Sequence, residues 1–158
     1  MRESAAGDSG SVFYDLTVPD FDKDALALSG LLVTAVSAQQ TPTAEADALA
    51  AKRLPGAATS RREFPVGDTL AVFAEAYRSA TGPQEIGVMV RLINESGDDV
   101  FTAKDSAVST RSTPASIFAQ FALEDLTPGT YLLRVEAQLS GADAQTATRE
   151  TLITVVPR

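Results

Sequence analysis

The sequence has no cysteine, no histidine and no tryptophan. Without cysteine the chain has no disulfide, no thiolate metal site and no cysteine nucleophile. Without histidine it lacks the commonest general base, the usual zinc ligand and the near-neutral pH switch. Most enzyme mechanisms are therefore missing a necessary group, and we predict a noncatalytic protein that binds no metal and needs no cofactor.

Positive charge is also scarce: the chain has 13 Lys and Arg but 21 Asp and Glu, which gives a formal net charge of -8. Nucleic-acid binding usually draws on clustered basic side chains, and an acidic surface is repelled by anionic lipid. The longest apolar run, beginning at Leu31, is too short to span a bilayer, and the chain does not open with a basic and then an apolar segment. We therefore expect no nucleic-acid partner, no membrane insertion and no signal peptide within this chain.

A chain of 158 residues is long enough to fold as one domain with its own core. Residues 1–10 are rich in Gly, Ser and acidic residues, which predicts a flexible linker or tail, and residues 11–158 are predicted to form a single domain. Within it, residues 37–67 are rich in Ala, Thr and Pro and are interpreted as a long irregular loop. Helix propensity leaves a short helix at 43–54 open.

Short runs of alternating apolar and polar residues recur between Gly, Pro, Asp and Asn along most of the chain. Helices able to cover a parallel sheet are missing, so each sheet is expected to be antiparallel with one face in water. We predict an all-β antiparallel sandwich, immunoglobulin-like or fibronectin type III-like, of about seven to nine strands whose layers leave no organised polar pocket. The predicted strands are 12–18, 28–36, 68–77, 86–92, 100–102, 117–123, 131–139 and 146–156.

The most informative motif contains Leu126, Pro128, Gly129 and Tyr131. A Pro-Gly turn followed by tyrosine at the head of a strand is typical of a tyrosine corner. Pro128 fixes its own φ, Gly129 is free to take a positive φ, and the Tyr131 hydroxyl is expected to bond to the backbone near Leu126. We interpret these four residues as structural.

Three aspartates at alternate positions, Asp20, Asp22 and Asp24, could supply oxygen ligands for calcium. The rest of an EF-hand loop is missing, because Ala25 and Leu31 stand where that loop needs glycine and glutamate. A solvated acidic turn is therefore favoured, and the sequence does not decide whether calcium binds.

Arg53, Arg61 and Arg62 cluster in the irregular segment of an otherwise acidic chain. This cluster is a candidate docking site for an acidic partner. The alternative is ordinary surface charge on a loop, which is commoner. For catalysis only carboxylates remain, and Glu75, Glu136 and Glu150 lie within predicted strands, where charged residues on a wet sheet face are the ordinary expectation.

Several segments resemble the C-terminal β-sandwich region of bacterial, acidobacterial-type von Willebrand factor A-domain-related proteins. They are residues 11–21, 28–31, 62–64, 67–70, the strand through Glu75 and Tyr77, 126–131 and 133–137. The Asp-x-Ser-x-Ser metal motif of the A domain itself does not occur, so no metal-dependent ligand site is implied. The resemblance implies an extracellular or periplasmic protein in which this sandwich follows an adhesion-type domain.

The leading hypothesis is an accessory module that mediates protein–protein interaction or spaces domains, with another protein or an adjoining domain as its partner. Its expected contact surfaces are the 39–67 loop and an edge strand. The alternative is a carbohydrate-binding module, which is disfavoured because such sites stack sugars on aromatic platforms and this chain has no Trp and three Tyr. A hydrolase using Glu75 or Glu136 is the third possibility. The sequence determines neither the ligand nor the oligomeric state.

Overall fold

A computed structural model of the chain describes residues 20–21, 23–38, 54, 58–140 and 144–158. Within these residues the chain forms two β-sheets that pack face to face, which confirms the predicted sandwich. The strands are β1 (Ala27–Leu28), β2 (Leu32–Ala35), β3 (Glu63–Pro65), β4 (Thr69–Tyr77), β5 (Gln84–Ile93), β6 (Asp99–Ser109), β7 (Ala115–Ala122), β8 (Gly129–Leu139) and β9 (Thr146–Val156), and a 3-10 turn at Val36–Ala38 follows β2.

The first sheet, which we call sheet A, is built around β4. Strand β7 pairs along one side of β4, and β1 and β2 pair in succession along the other. The second sheet, sheet B, has the order β3-β9-β8-β5-β6. Every pair is antiparallel except β3 with β9, which is parallel and three residues long. The expectation of a purely antiparallel fold is therefore wrong at this one edge.

The core lies between the sheets because alternate residues of each long strand point inward. In β8, for example, Tyr131, Leu133 and Val135 are buried while the residues between them face outward. Phe101 of β6 and Phe121 of β7 pack with their ring centroids 4.7 Å apart. The largest fully buried side chains are Phe64, Leu28, Leu70, Ile86, Leu92, Leu123, Leu133, Ile153, Val33, Val72, Val90 and Val135.

The outer face of sheet A departs from the predicted wet face. Phe73 belongs to the side of β4 that was expected to face solvent, yet its side chain is only 4% exposed. Leu54 and Ala58 pack over it together with Leu32 and Ala71, so a second small apolar cluster lies on the outside of this sheet. Part of the segment interpreted as an irregular loop therefore covers the sheet.

Three other boundaries differ from the prediction. Strand β6 extends over Asp99–Ser109, far beyond the expected 100–102. The predicted strand 28–36 is divided into β1 and β2. At Ser29 the backbone N–H still donates to the Glu75 carbonyl, but the Glu75 N–H donates to Ser29 Oγ at 2.9 Å and not to a backbone carbonyl. Strand β3 lies inside the segment interpreted as a loop.

The predicted linker 1–10, the predicted strand 12–18 and all of the possible helix 43–54 except Leu54 fall outside the described residues. No helix in the described part of the chain has the length and apolar character needed to cross a membrane.

Candidate functional site

The turn before β8 has the geometry of a tyrosine corner. The Tyr131 hydroxyl donates to the Thr127 carbonyl oxygen at 2.7 Å, and the ring is buried against the core. Leu126 donates its N–H to the Leu123 carbonyl at 3.2 Å, which closes the preceding turn. Gly129, which is free to take a positive φ, does not take one here, because it already belongs to β8 and pairs with Val155. The motif fixes the start of a central strand and presents no reactive group.

Two long strands of the sandwich have a free edge in the described part of the chain. In sheet B, β6 pairs only with β5, and in sheet A, β7 pairs only with β4. Each free edge offers backbone N–H and C=O groups that another strand could pair with. The two edges are therefore the surfaces on which strand addition is chemically possible, and they differ in their side chains.

The β6 edge is protected against pairing. Lys104 faces outward from it, and Asp105 lies opposite Val88, whose side chain belongs to the core. Asp105 thus occupies an inward position of an edge strand, where its charge would have to lose its water if another strand approached. Edge lysines and inward-pointing charges are the usual devices that prevent edge-to-edge association.

The β7 edge has no such protection. Its sequence, Ala115–Ala122, contains no charged residue, no glycine and no proline. Phe118, opposite Phe73 of β4, is 37% exposed on the outer face, and Ser116 and Gln120 flank it on that face. We define the β7 edge as residues Ala115–Ala122 and take it as the candidate binding site.

The predicted arginine cluster is not a single surface. Arg62 is half-buried, and its Nε donates to Thr151 Oγ1 at 3.2 Å while its Nη1 donates to the Thr59 carbonyl at 3.0 Å. These bonds fasten residues 58–62 to β9. Arg61 is exposed beside it, and Arg53 lies outside the described residues. Of the two described arginines, only Arg61 presents its charge to a partner.

Glu75 and Glu136, two of the three glutamates considered for hydrolysis, do not meet, and the third, Glu150, pairs with Arg134. Glu75 lies on the outer face of sheet A, and its carboxylate accepts a hydrogen bond from the Tyr77 hydroxyl at 2.6 Å. Glu136 lies on the outer face of sheet B in an ion pair with Arg91, which also lies 3.7 Å from Asp99. The hydrogen bond from Arg91 to Glu136 raises the pKa of the Arg91 guanidinium. The whole sandwich separates the two carboxyl groups, so they cannot act on one substrate.

A shallow depression of about 450 Å³ lies on the outer face of sheet B. Gly87 of β5 forms part of its floor, since it has no side chain there. Lys104, Glu136, Gln138 and Thr146 supply polar groups around it. The depression is open and is not a cleft of converging acids, so the expectation that the layers leave no organised polar pocket stays a prediction.

The acidic turn is described only in part. Asp20 forms an exposed ion pair with Lys23 at 3.3 Å, Asp24 is exposed, and Asp22 lies outside the described residues. No group of three or more His, Cys, Asp or Glu side chains suitable for a metal occurs among the residues with a described position. The calcium hypothesis stays a prediction.

No family model matches the chain, and no curated protein matches it. Among solved structures, the chain is similar to a calcium-binding mutant of β-glucuronidase 2 from Bacteroides uniformis, with a TM-score of 0.55 and 9% identity over 82% of this chain. It is also similar to a putative β-galactosidase from Bacteroides fragilis, with a TM-score of 0.51 and 10% identity over 82% of this chain and 17% of that chain. The C-terminal domain of wzt has a TM-score of 0.56 and 9% identity over 85% of this chain and 75% of that domain.

At these identities the likeness concerns the fold alone. The chain spans 14% of the length of the β-glucuronidase, so this architecture occurs there as one part of a much larger protein. None of these neighbours bears on the resemblance to von Willebrand factor A-domain-related proteins, which stays a prediction.

Proposed function

We propose that this domain is a noncatalytic accessory module of an exported protein and that it binds another protein by adding a strand of that partner to the β7 edge. The observation that carries the proposal is the contrast between the two long edges. The β6 edge has Lys104 and the inward Asp105, whereas β7 has eight residues without a charge. Among the described strands, β6 has a guarded edge and β7 an open one, and an open edge is suited to a partner strand.

The occupant we propose is an extended segment of a partner protein in which apolar and polar residues alternate. Main-chain hydrogen bonds to β7 would supply affinity, and side chains on alternate positions would supply specificity. On the outer face, an apolar residue of the incoming strand would cover Phe118, which is 37% exposed. On the inner face, another would lie against the small depression between β6 and β7 that is lined by Ala103, Ala107 and Ile117.

An accessory role is supported by two further observations. The space between the two sheets is filled by packed side chains, and four charged groups on the outer face of sheet B form two ion pairs, Arg91 with Glu136 and Arg134 with Glu150. The architecture also occurs as a minor part of larger chains. The exported location rests on the resemblance given above.

Photo-crosslinking compares the two edges directly. We expect a photoreactive phenylalanine analogue at Phe118 on β7 to crosslink a discrete protein in an envelope extract, because that position borders the open edge. The matched control carries the same analogue at Val108 on β6, which is 62% exposed and should give no discrete product. Equal products from both positions, or a product from Val108 alone, would contradict the proposal.

Carbohydrate binding is the second candidate, and the depression on sheet B favours it. Carboxylate, amide, ammonium and hydroxyl groups from Glu136, Gln138, Lys104 and Thr146 surround a concave surface, and such groups hydrogen-bond polyhydroxylated ligands. The described residues of this face include no aromatic platform, so the affinity of such a site would be weak.

Replacing the glycine in the floor separates binding from folding. A Cβ at Gly87 would meet only the Gln138 carbonyl oxygen at 3.8 Å, and Gly87 has no positive φ. We expect Gly87→Val to stabilise the fold by about 0.5–1 kcal/mol, because a β-branched residue suits a central strand, and to narrow the depression by placing an isopropyl group on its floor. Glycan-array signals and urea unfolding check both effects. Glycan binding that Gly87→Val leaves intact would remove the depression as its site.

A further inference from the structure

A pocket beside Arg78 lies at the end of the sandwich where β4 and β8 end and β5 begins. It has a volume of about 270 Å³ and is lined by Arg78, Gln84, Ser140 and Gln145, with Ala25, Ala80 and Leu139 as its apolar walls. Arg78 is the one charged residue among these lining residues. It directly follows β4 and is only 6% exposed.

Only part of the Arg78 guanidinium has hydrogen-bond partners. Its Nη1 donates to the carbonyl oxygens of Gly82 at 3.0 Å and Ser109 at 3.2 Å. Its Nε is buried without a hydrogen-bond partner. No ion pair from Arg78 to an acidic side chain occurs in the described part of the chain, although acidic residues outnumber basic ones in the sequence.

A buried cation without an anion is costly, because the charge loses its water and gains no opposite charge in return. The two carbonyl bonds offset part of that cost and hold the β4–β5 turn against the end of β6. They leave the buried Nε–H without a partner, and Nε–H forms one edge of the guanidinium together with the neighbouring N–H of Nη2. That edge presents two parallel N–H donors with the spacing of the two oxygens of a carboxylate.

We infer that the pocket at Arg78 is a binding site for the carboxylate group of a ligand, held by the Nε and Nη2 edge. Gln84, which donates from its side chain to the Ser140 carbonyl at 3.1 Å, forms the polar wall and moves aside to admit the ligand. Ala80 and Leu139 contact the apolar part of the ligand next to the carboxylate. This site is separate from the β7 edge and from the depression on sheet B, so it stands or fails independently of the proposed function.

Thermal unfolding of the full chain tests the inference. At ten times the dissociation constant, acetate or another bound carboxylate is expected to raise Tm by about 3–6 °C over sodium chloride of equal ionic strength. Two pairs of probes distinguish the source of the carboxylate: glucuronate against glucose, and a peptide with a free C-terminus against the same peptide amidated. The member of each pair that lacks the carboxylate should give no shift in Tm.

Two variants locate the effect. Arg78→Gln should abolish the carboxylate-dependent rise in Tm, whereas Arg61→Gln, which removes the same charge from an exposed position, should retain it. Since Arg78→Gln also removes bonds to the β4–β5 turn, the Nε–H resonance of Arg78 in the unsubstituted protein supplies an independent readout and should shift as carboxylate is added. A rise in Tm that survives Arg78→Gln, or an Nε–H resonance that no carboxylate probe moves at 100-fold excess, would overturn the inference.

Discussion

Tyr131→Ala is expected to destabilise the domain by about 3–5 kcal/mol, the usual cost of removing a buried aromatic ring. The ring is 4% exposed and packs in the core at the start of β8, which lies in the middle of sheet B. Its removal therefore leaves a cavity and also releases the turn that the hydroxyl closes. Urea unfolding measures the loss as a lower midpoint with an unchanged m-value.

The conservative variant separates these two effects. Tyr131→Phe keeps the ring and removes the 2.7 Å bond to the Thr127 carbonyl and the 3.2 Å bond with Thr127 Oγ1, so we expect a loss of about 1 kcal/mol. If the two variants lost the same stability, the ring would contribute nothing beyond the hydroxyl, and the interpretation of Tyr131 as a core residue would be wrong.

Asp68→Ala is expected to cost about 1–3 kcal/mol, because it removes the charged acceptor of two part-buried backbone hydrogen bonds. Asp68 is 7% exposed, and its carboxylate accepts the Ser37 N–H at 3.3 Å and the Thr69 N–H at 2.8 Å. These bonds join the turn after β2 to the start of β4. Through its own carbonyl, Asp68 also accepts the Leu123 N–H at 2.8 Å, a bond that the substitution keeps.

Asp68→Asn serves as the control, since one side-chain oxygen stays in place to accept a hydrogen bond. We expect it to lose less than half of what Asp68→Ala loses in the same unfolding measurement. Equal losses would mean that the negative charge, and not the hydrogen-bond geometry, carries the effect.

The strands from residue 69 onward were predictable because their inward residues alternate without interruption. Only the first residues of strand β6 were predictable. The rest of this edge strand has small or polar side chains on both faces, including the inward Asp105. The burial of Phe73 was also missed, because alternation cannot show that Leu54 and Ala58 lie over the outer face. The parallel pairing of β3 depends on a contact with β9 that local sequence does not encode.

The sequence predicted the type of contact surface but not the residues that form it. An edge strand was expected to be a contact surface, yet only the topology identifies β7 as the unguarded one. Arg78 looked like any arginine at the end of a strand, since no local pattern indicates that its side chain turns inward. The loop arginines were visible in the sequence, but Arg62 binds its own chain through Thr59 and Thr151.

Hydrogen exchange of the backbone amides, followed by mass spectrometry with and without the crosslink-identified partner, tests strand addition at β7 most directly. We expect the open-edge amides within Ala115–Ala122 to exchange at least tenfold more slowly in the complex, and those of Asp99–Ser109 to keep their free-protein rates. A complex in which protection falls on other surfaces while β7 exchanges as before would contradict the proposal.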